Sequence, residues 1–93
     1  ITLSIKLFKK AISIEDNAEP LLGLASCLRF KDIKLALELA KKALAKDPNY
    51  VNYDYRKEQL WGEKLQTSTE ILLQNKQLQN DVILAKSKID ASS

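Results

Sequence analysis

Side chains able to act as a base, a nucleophile or a metal ligand near neutral pH are scarce in this sequence. There is no His, which removes the commonest general base and metal ligand. The single cysteine, Cys27, cannot build a thiolate metal site alone. It lies among Leu21, Leu22, Leu24, Ala25 and Leu28, where a thiol reads as a small core hydrophobe rather than a nucleophile. Ser4, Ser13, Ser26 and Ser68 have no base partner suggested by the sequence. The pair Glu15-Asp16 falls at an expected helix end, where short acidic side chains serve as punctuation. Gly23 stands alone and makes no phosphate-cradling loop. No catalytic, cofactor-binding or metal-binding residue is assigned, and the chain is not expected to be an enzyme.

Binding chemistry is the remaining option, and the charges narrow it. The net charge is +3, with nine Lys/Arg against six Asp/Glu over residues 1–50 and six of each over 51–93. The excess sits in pairs such as Lys9-Lys10 and Lys41-Lys42, which read as solvated faces of amphipathic helices. A nucleic-acid footprint would need a denser basic stripe with interleaved aromatics, so no nucleic-acid partner is expected. Trp61 has two readings: packing between a C-terminal helix and the helix before it, or an exposed anchor for a partner. One cysteine closes no intramolecular disulfide, so a cytoplasmic or other reducing location is expected. No apolar run reaches the roughly 18 residues of a membrane span. The chain begins at Ile1 rather than Met, as expected of a fragment or a processed product, with any targeting segment outside it.

The elements that must carry any binding surface are helical. Hydrophobic residues make up 45% of the 93 residues, with only two Gly and two Pro. Ala, Leu, Lys, Glu and Gln, all good helix formers, are abundant. These features predict an all-α fold. The segment ITLSIKLFKKAISIED (1–16) aligns without a gap on IKLALELAKKALAKDP (33–48), at an offset of 32 residues with six identities. The identities are Ile1/Ile33, Leu3/Leu35, Leu7/Leu39, Lys9/Lys41, Lys10/Lys42 and Ala11/Ala43. Self-similarity at a fixed period is the signature of a repeat. Between the copies, Pro20 suits the first turn of a helix, and Leu21, Leu22, Leu24, Ala25 and Leu28 form an apolar face at helical spacing. Asp32 is the expected N-cap of the next helix. Residues 19–46 therefore predict an antiparallel helical hairpin.

Leu22-Gly23 followed by Ala36, Ala40, Ala43 and Pro48 resembles the tetratricopeptide repeat (TPR). Ser4, Phe8, Ala11 and Asp16 stand at the same steps in the earlier copy. Small residues at 36 and 43 allow close helix approach, and Pro48 stops the second helix. The departures are a period of 32 rather than about 34, a missing Tyr in the first helix, and Ala40 in an aromatic place. The resemblance implies antiparallel hairpins of a right-handed solenoid over a single domain, 1–93. Residues 1–14 are then the second helix of a truncated repeat and 19–46 a complete one. Its uncovered face at Leu3, Leu7 and Phe8 leads to an expectation of self-association.

Beyond the repeat, Tyr53, Leu60, Thr67 and Ile71 fall near one face, with Trp61, Leu65 and Leu72 beside it. They predict one long capping helix over 50–74, weakened at Gly62 and ending at Asn75 in a left-handed conformation. A terminal helix over 77–90 is expected to turn Leu78, Val82, Ile83 and Ala85 inward. The resemblance also implies a concave groove lined by the first helix of each hairpin. At the matching positions Pro20, Leu21, Leu24, Cys27 and Leu28 are apolar, so the family's Lys/Asn clamp for a terminal carboxylate is absent. Asn52, Tyr55, Arg56 and Gln59 are the expected exposed, polar wall for a protein or peptide partner. Leu21, Leu24 and Leu28 form the apolar alternative. The expected function is a protein–protein interaction module, a scaffold or adaptor. The alternative is a structural end of a longer solenoid with no binding role.

Overall fold

A computed structural model of the chain describes residues 5, 6, 9, 10 and 17–92. Five α-helices succeed one another over the continuous part: α1 (Ala18–Leu28), α2 (Ile33–Lys46), α3 (Tyr53–Glu58), α4 (Glu63–Leu73) and α5 (Gln79–Ser92). Two 3-10 turns, Pro48–Val51 and Lys76–Leu78, join α2 to α3 and α4 to α5. The fold is all-α, with no strand among the described residues. Of the expected helix over 1–14, the described residues 5, 6, 9 and 10 are helical, and Ile5 is buried in the core. Leu3, Leu7 and Phe8, and with them the expected uncovered face, lie outside the described residues.

The hairpin α1–α2 forms for the reasons its sequence offers. Pro20 lies in the first turn of α1, where a missing N–H costs no helical bond. After Leu28 the chain turns at once, with the N–H groups of Lys31 and Asp32 both donating to the Leu28 carbonyl at 2.9 Å. Asp32 then caps α2, its Oδ1 accepting from the Leu35 N–H at 3.2 Å. This satisfies one of the donors that a helix start leaves orphaned. Ala36, Ala40 and Ala43 are wholly buried. Side chains this small let α2 approach α1 closely, and Leu21, Leu22, Leu24, Ala25 and Leu28 fill the other side of the contact.

Asp47-Pro48 ends α2 as expected, but the chain does not continue as one helix over 50–74. Asp47 Oδ1 accepts from the Asn49 N–H at 3.0 Å and opens the 3-10 turn. α3 starts only at Tyr53, and it stops after six residues. The stop has a Schellman geometry. The Leu60 N–H donates to the Lys57 carbonyl at 3.0 Å, and the Trp61 N–H reaches back to the Arg56 carbonyl at 3.2 Å. Leu60 takes the left-handed position with φ 67°, which costs a branched L residue about 1–2 kcal/mol. Gly62, two residues on, has φ −72° and caps the start of α4. The turn is driven by Trp61, whose ring enters the core beside Tyr50 (centroids 5.9 Å apart) while Leu60 projects into solvent, 90% exposed.

The break rotates the register of everything after it. Tyr53, Leu60, Thr67 and Ile71, expected near one face of a single helix, are all exposed, while Trp61 and Leu72 beside them are buried. α4 instead buries Gln66, Thr69, Leu72 and Leu73. Asn75 is not left-handed. It sits at φ −60°, ψ 134° and caps the second 3-10 turn, accepting from the Gln77 N–H at 2.9 Å. In the last segment Leu78, Val82 and Ala85 point inward as expected, but Ile83 is 64% exposed. α4 packs on α1, and α5 packs on α2 and on the Pro48–Val51 turn.

Candidate functional site

The α1–α2 hairpin meets the later part of the chain where α4 packs on α1. Ser26 of α1 and Thr69 of α4 hold them together through hydroxyl oxygens 2.7 Å apart, both residues buried. Nearer the ends of the same helices, Arg29 and Phe30 share a cavity with Ile71, Leu72, Gln74 and Asn75. Tyr50 meets both Glu19 at the start of α1 and Trp61 just before α4, so the two helices run parallel. The hydroxyls also face carbonyls one turn back: Ser26 Oγ is 2.9 Å from the Leu22 carbonyl and Thr69 Oγ1 is 2.8 Å from that of Leu65. Each hydroxyl owns a single hydrogen, so two hydrogens serve three contacts. One hydroxyl donates across the interface, and the other keeps its own helix carbonyl.

Beside this lock the helices splay into an open groove of about 940 Å³. Ser26, Cys27, Arg29 and Phe30 line one side; Gly62, Glu63, Lys64, Leu65, Thr67 and Ser68 line the other. Cys27 and Leu65 are partly buried and pack against the core, while Glu63, Lys64 and Thr67 are exposed at the rim. Burial pushes the Cys27 thiol above its ordinary value, which keeps it protonated at neutral pH and a poor nucleophile. The hydroxyl of Ser26 meets only Thr69 and a backbone carbonyl. The groove thus offers apolar surface, small hydroxyls and a charged rim, a lining suited to holding a chain segment.

The second polar assembly of the molecule fixes α4. Arg56 is wholly buried. Its Nε donates to Gln66 Oε1 at 2.8 Å, its Nη1 to the Tyr50 carbonyl at 3.3 Å, and its Nη2 to the Glu70 carboxylate. Gln66 Nε2 in turn donates to the Tyr53 carbonyl at 3.0 Å. Burial lowers the pKa of the guanidinium, and Glu70 opposes the shift. A guanidinium stays charged through such a shift, and its planar fork suits three acceptors at once. Around it, Tyr50 packs edge-on against Tyr55 at 5.0 Å and donates to Glu19 Oε2 at 3.0 Å. Burial first, and then the Glu19 carboxylate, push the Tyr50 phenol above its ordinary value. Burial and then Asp47, to which Tyr55 donates at 3.4 Å, do the same to Tyr55.

This geometry corrects the expected site. Asn52 and Gln59 are exposed and Tyr55 is partly buried, but Arg56 points into the core and does not join them in one wall. Those four residues belong to α3 and its flanks, while α4 takes the place beside α1. The apolar alternative fails as an exposed surface too: Leu21, Leu24 and Leu28 are core residues, at 1%, 4% and 6% exposure. Trp61 is buried against Tyr50. Sequence reasoning missed Lys64, Leu65, Thr67 and Ser68 as groove residues. The available signal was polar, in that Ser26, Gln66 and Thr69 interrupt otherwise apolar faces and mark where helices are joined by hydrogen bonds.

Among the described residues no helix is long and apolar enough to cross a membrane, and no group of three or more potential metal ligands gathers. No protein-family model, curated protein or solved structure matches the chain.

Proposed function

We propose that this chain is a protein-interaction module built from TPR-type helical hairpins, and that a segment of a partner protein lies in the groove between α1 and α4. The observation that carries the reading is the parallel seating of α4 on α1, with an open groove of about 940 Å³ beside it. In a hairpin repeat the first helices of successive units stack in parallel and leave such a channel on one face. The repeat at 32 residues, the buried Ala36 and Ala43, and Pro48 after α2 support the same reading. So does α5, which packs on α2 as α4 packs on α1. The segment 47–62 is the departure, an insertion that carries α3 and lets α4 fill the next first-helix position. The right-handed solenoid and the scaffold role belong to this proposal.

The test is partner capture with the rim changed. Lys64→Glu with Thr67→Arg places bulk and opposite charge at two exposed lining positions, where stability should move by less than about 0.5 kcal/mol. Capture should fall about tenfold or more, since about 1.4 kcal/mol suffices. Undiminished capture by the folded variant would remove the groove from consideration.

A further inference from the structure

We infer that the end of the molecule formed by the α1–α2 and α4–α5 connections is a docking surface for an anionic phospholipid bilayer. Three large apolar side chains project there: Phe30 is 85% exposed, Ile33 43% and Ile71 48%. They surround a shallow cavity of about 270 Å³ that no described acidic residue lines. The same end carries Arg29, Lys31 and Lys76 in the two connections and Lys34 in the first turn of α2, the three lysines all exposed. Asp32, the acidic residue among them, is engaged as the cap of α2. Glu19 at the start of α1 and Asp47 at the end of α2 lie at the opposite end of that hairpin, while Glu63 lines the neighbouring groove.

Apolar side chains encircled by cations are the pattern of an interfacial contact. The apolar groups enter the boundary between headgroups and acyl chains, and the cations remain at headgroup depth. The surface potential of anionic lipid then favours each basic residue held within a Debye length of it. Arg29 lies over the Phe30 ring at 3.7 Å, with its Nη1 buried and without a hydrogen-bond partner in the protein. A bilayer fits better than an acidic peptide because Phe30 projects outward instead of lining an enclosed pocket, and because the cations are spread around it. The contact is peripheral and adjoins the groove beside Ser26 and Thr69, with Arg29 and Phe30 at the border between them.

Sedimentation of the full chain with vesicles tests this. Vesicles of phosphatidylcholine with about 30% phosphatidylserine should bind the chain at low salt at least about tenfold better than phosphatidylcholine alone. The excess should vanish near 0.5 M salt, as screening requires. K31E/K34E should lose the preference for anionic lipid, F30S/I71S should lower binding about tenfold, and Q59A, at an exposed position outside both surfaces, should bind normally. A fluorophore sensitive to polarity on C27S/F30C should brighten with anionic vesicles, which reads the contact without altering the lysines. Absence of sedimentation with anionic vesicles at low salt would overturn the proposal. So would undiminished binding by F30S/I71S, or preferential binding of the same surface to an acidic polypeptide.

Discussion

The first hairpin and the segment after it are closed by opposite means. Between α1 and α2 the contact is apolar and built on small residues: Ala36, Ala40 and Ala43 are wholly buried against a row of leucines. Between α3 and α4 the centre is polar. Arg56 and Gln66 are buried to about the same degree as those alanines, and three hydrogen bonds leave the guanidinium in different directions. The apolar contact tolerates small slips, because dispersion and burial have little directionality. The polar one accepts a single arrangement, because an unpartnered buried donor or acceptor is costly. The difference explains why a six-residue helix and a left-handed leucine persist between the α1–α2 hairpin and α4. The Arg56 assembly fixes where α4 must lie, and that position creates the groove beside α1.

The largest effect should come from breaking the polar side of the comparison. Arg56→Ala leaves Gln66 and the Tyr50 carbonyl buried without their donor. Glu70, with its side chain 44% exposed, retains water, which limits the loss from the ion pair itself. The expected destabilisation is roughly 3 kcal/mol, measured by denaturant unfolding. A loss below about 0.5 kcal/mol, the usual size at an exposed position, would mean that Arg56 is not the centre of the α3–α4 junction.

The apolar side is sharpened by overpacking. Ala36→Leu or Ala43→Leu should cost roughly 1–3 kcal/mol, because neither site has room for added carbons. Thermal melts of both variants unchanged within error would show that α1 and α2 are not in close contact. The smallest effect is expected at the strained turn. Leu60→Gly removes a left-handed leucine whose side chain touches little, and it should stabilise the chain by up to about 1 kcal/mol, offset by the flexibility glycine adds to the unfolded state. A lower melting temperature for this variant would argue that Leu60 makes contacts that its exposure does not suggest.

These regions also differ in how much can be read from residue order. α1, α2 and their connection obey local rules: Pro20 in a first turn, Asp32 at a cap, small residues every few positions and Pro48 after the end. The segment 50–74 obeys no such rule. Its apolar period continues across 59–62 without interruption, and its only glycine is at 62 rather than at the left-handed position 60. The turn is set by the burial of Trp61 and by Arg56, neither of which has a local signature. An arginine on an amphipathic helix ordinarily extends into water, so residue order alone puts Arg56 beside Asn52, Tyr55 and Gln59 on a binding wall. Its partners Gln66 and Glu70 come ten and fourteen residues later, beyond a break that the periodicity does not reveal. The groove is out of reach for the same reason, since its second side exists only once α4 has been turned onto α1.

The groove assignment is tested most directly by site-specific photo-crosslinking to a captured partner. The single cysteine, labelled at alkaline pH where its thiolate forms, allows a thiol-linked photoactivatable group to be placed at Cys27 in the groove, or at position 59 on the outer side of α3 in C27S/Q59C. A crosslinked partner should form from Cys27 and disappear in the Lys64→Glu, Thr67→Arg background, with little or none from position 59. Efficient crosslinking from position 59, with none from Cys27, would contradict the assignment and return the binding surface to Asn52, Tyr55 and Gln59.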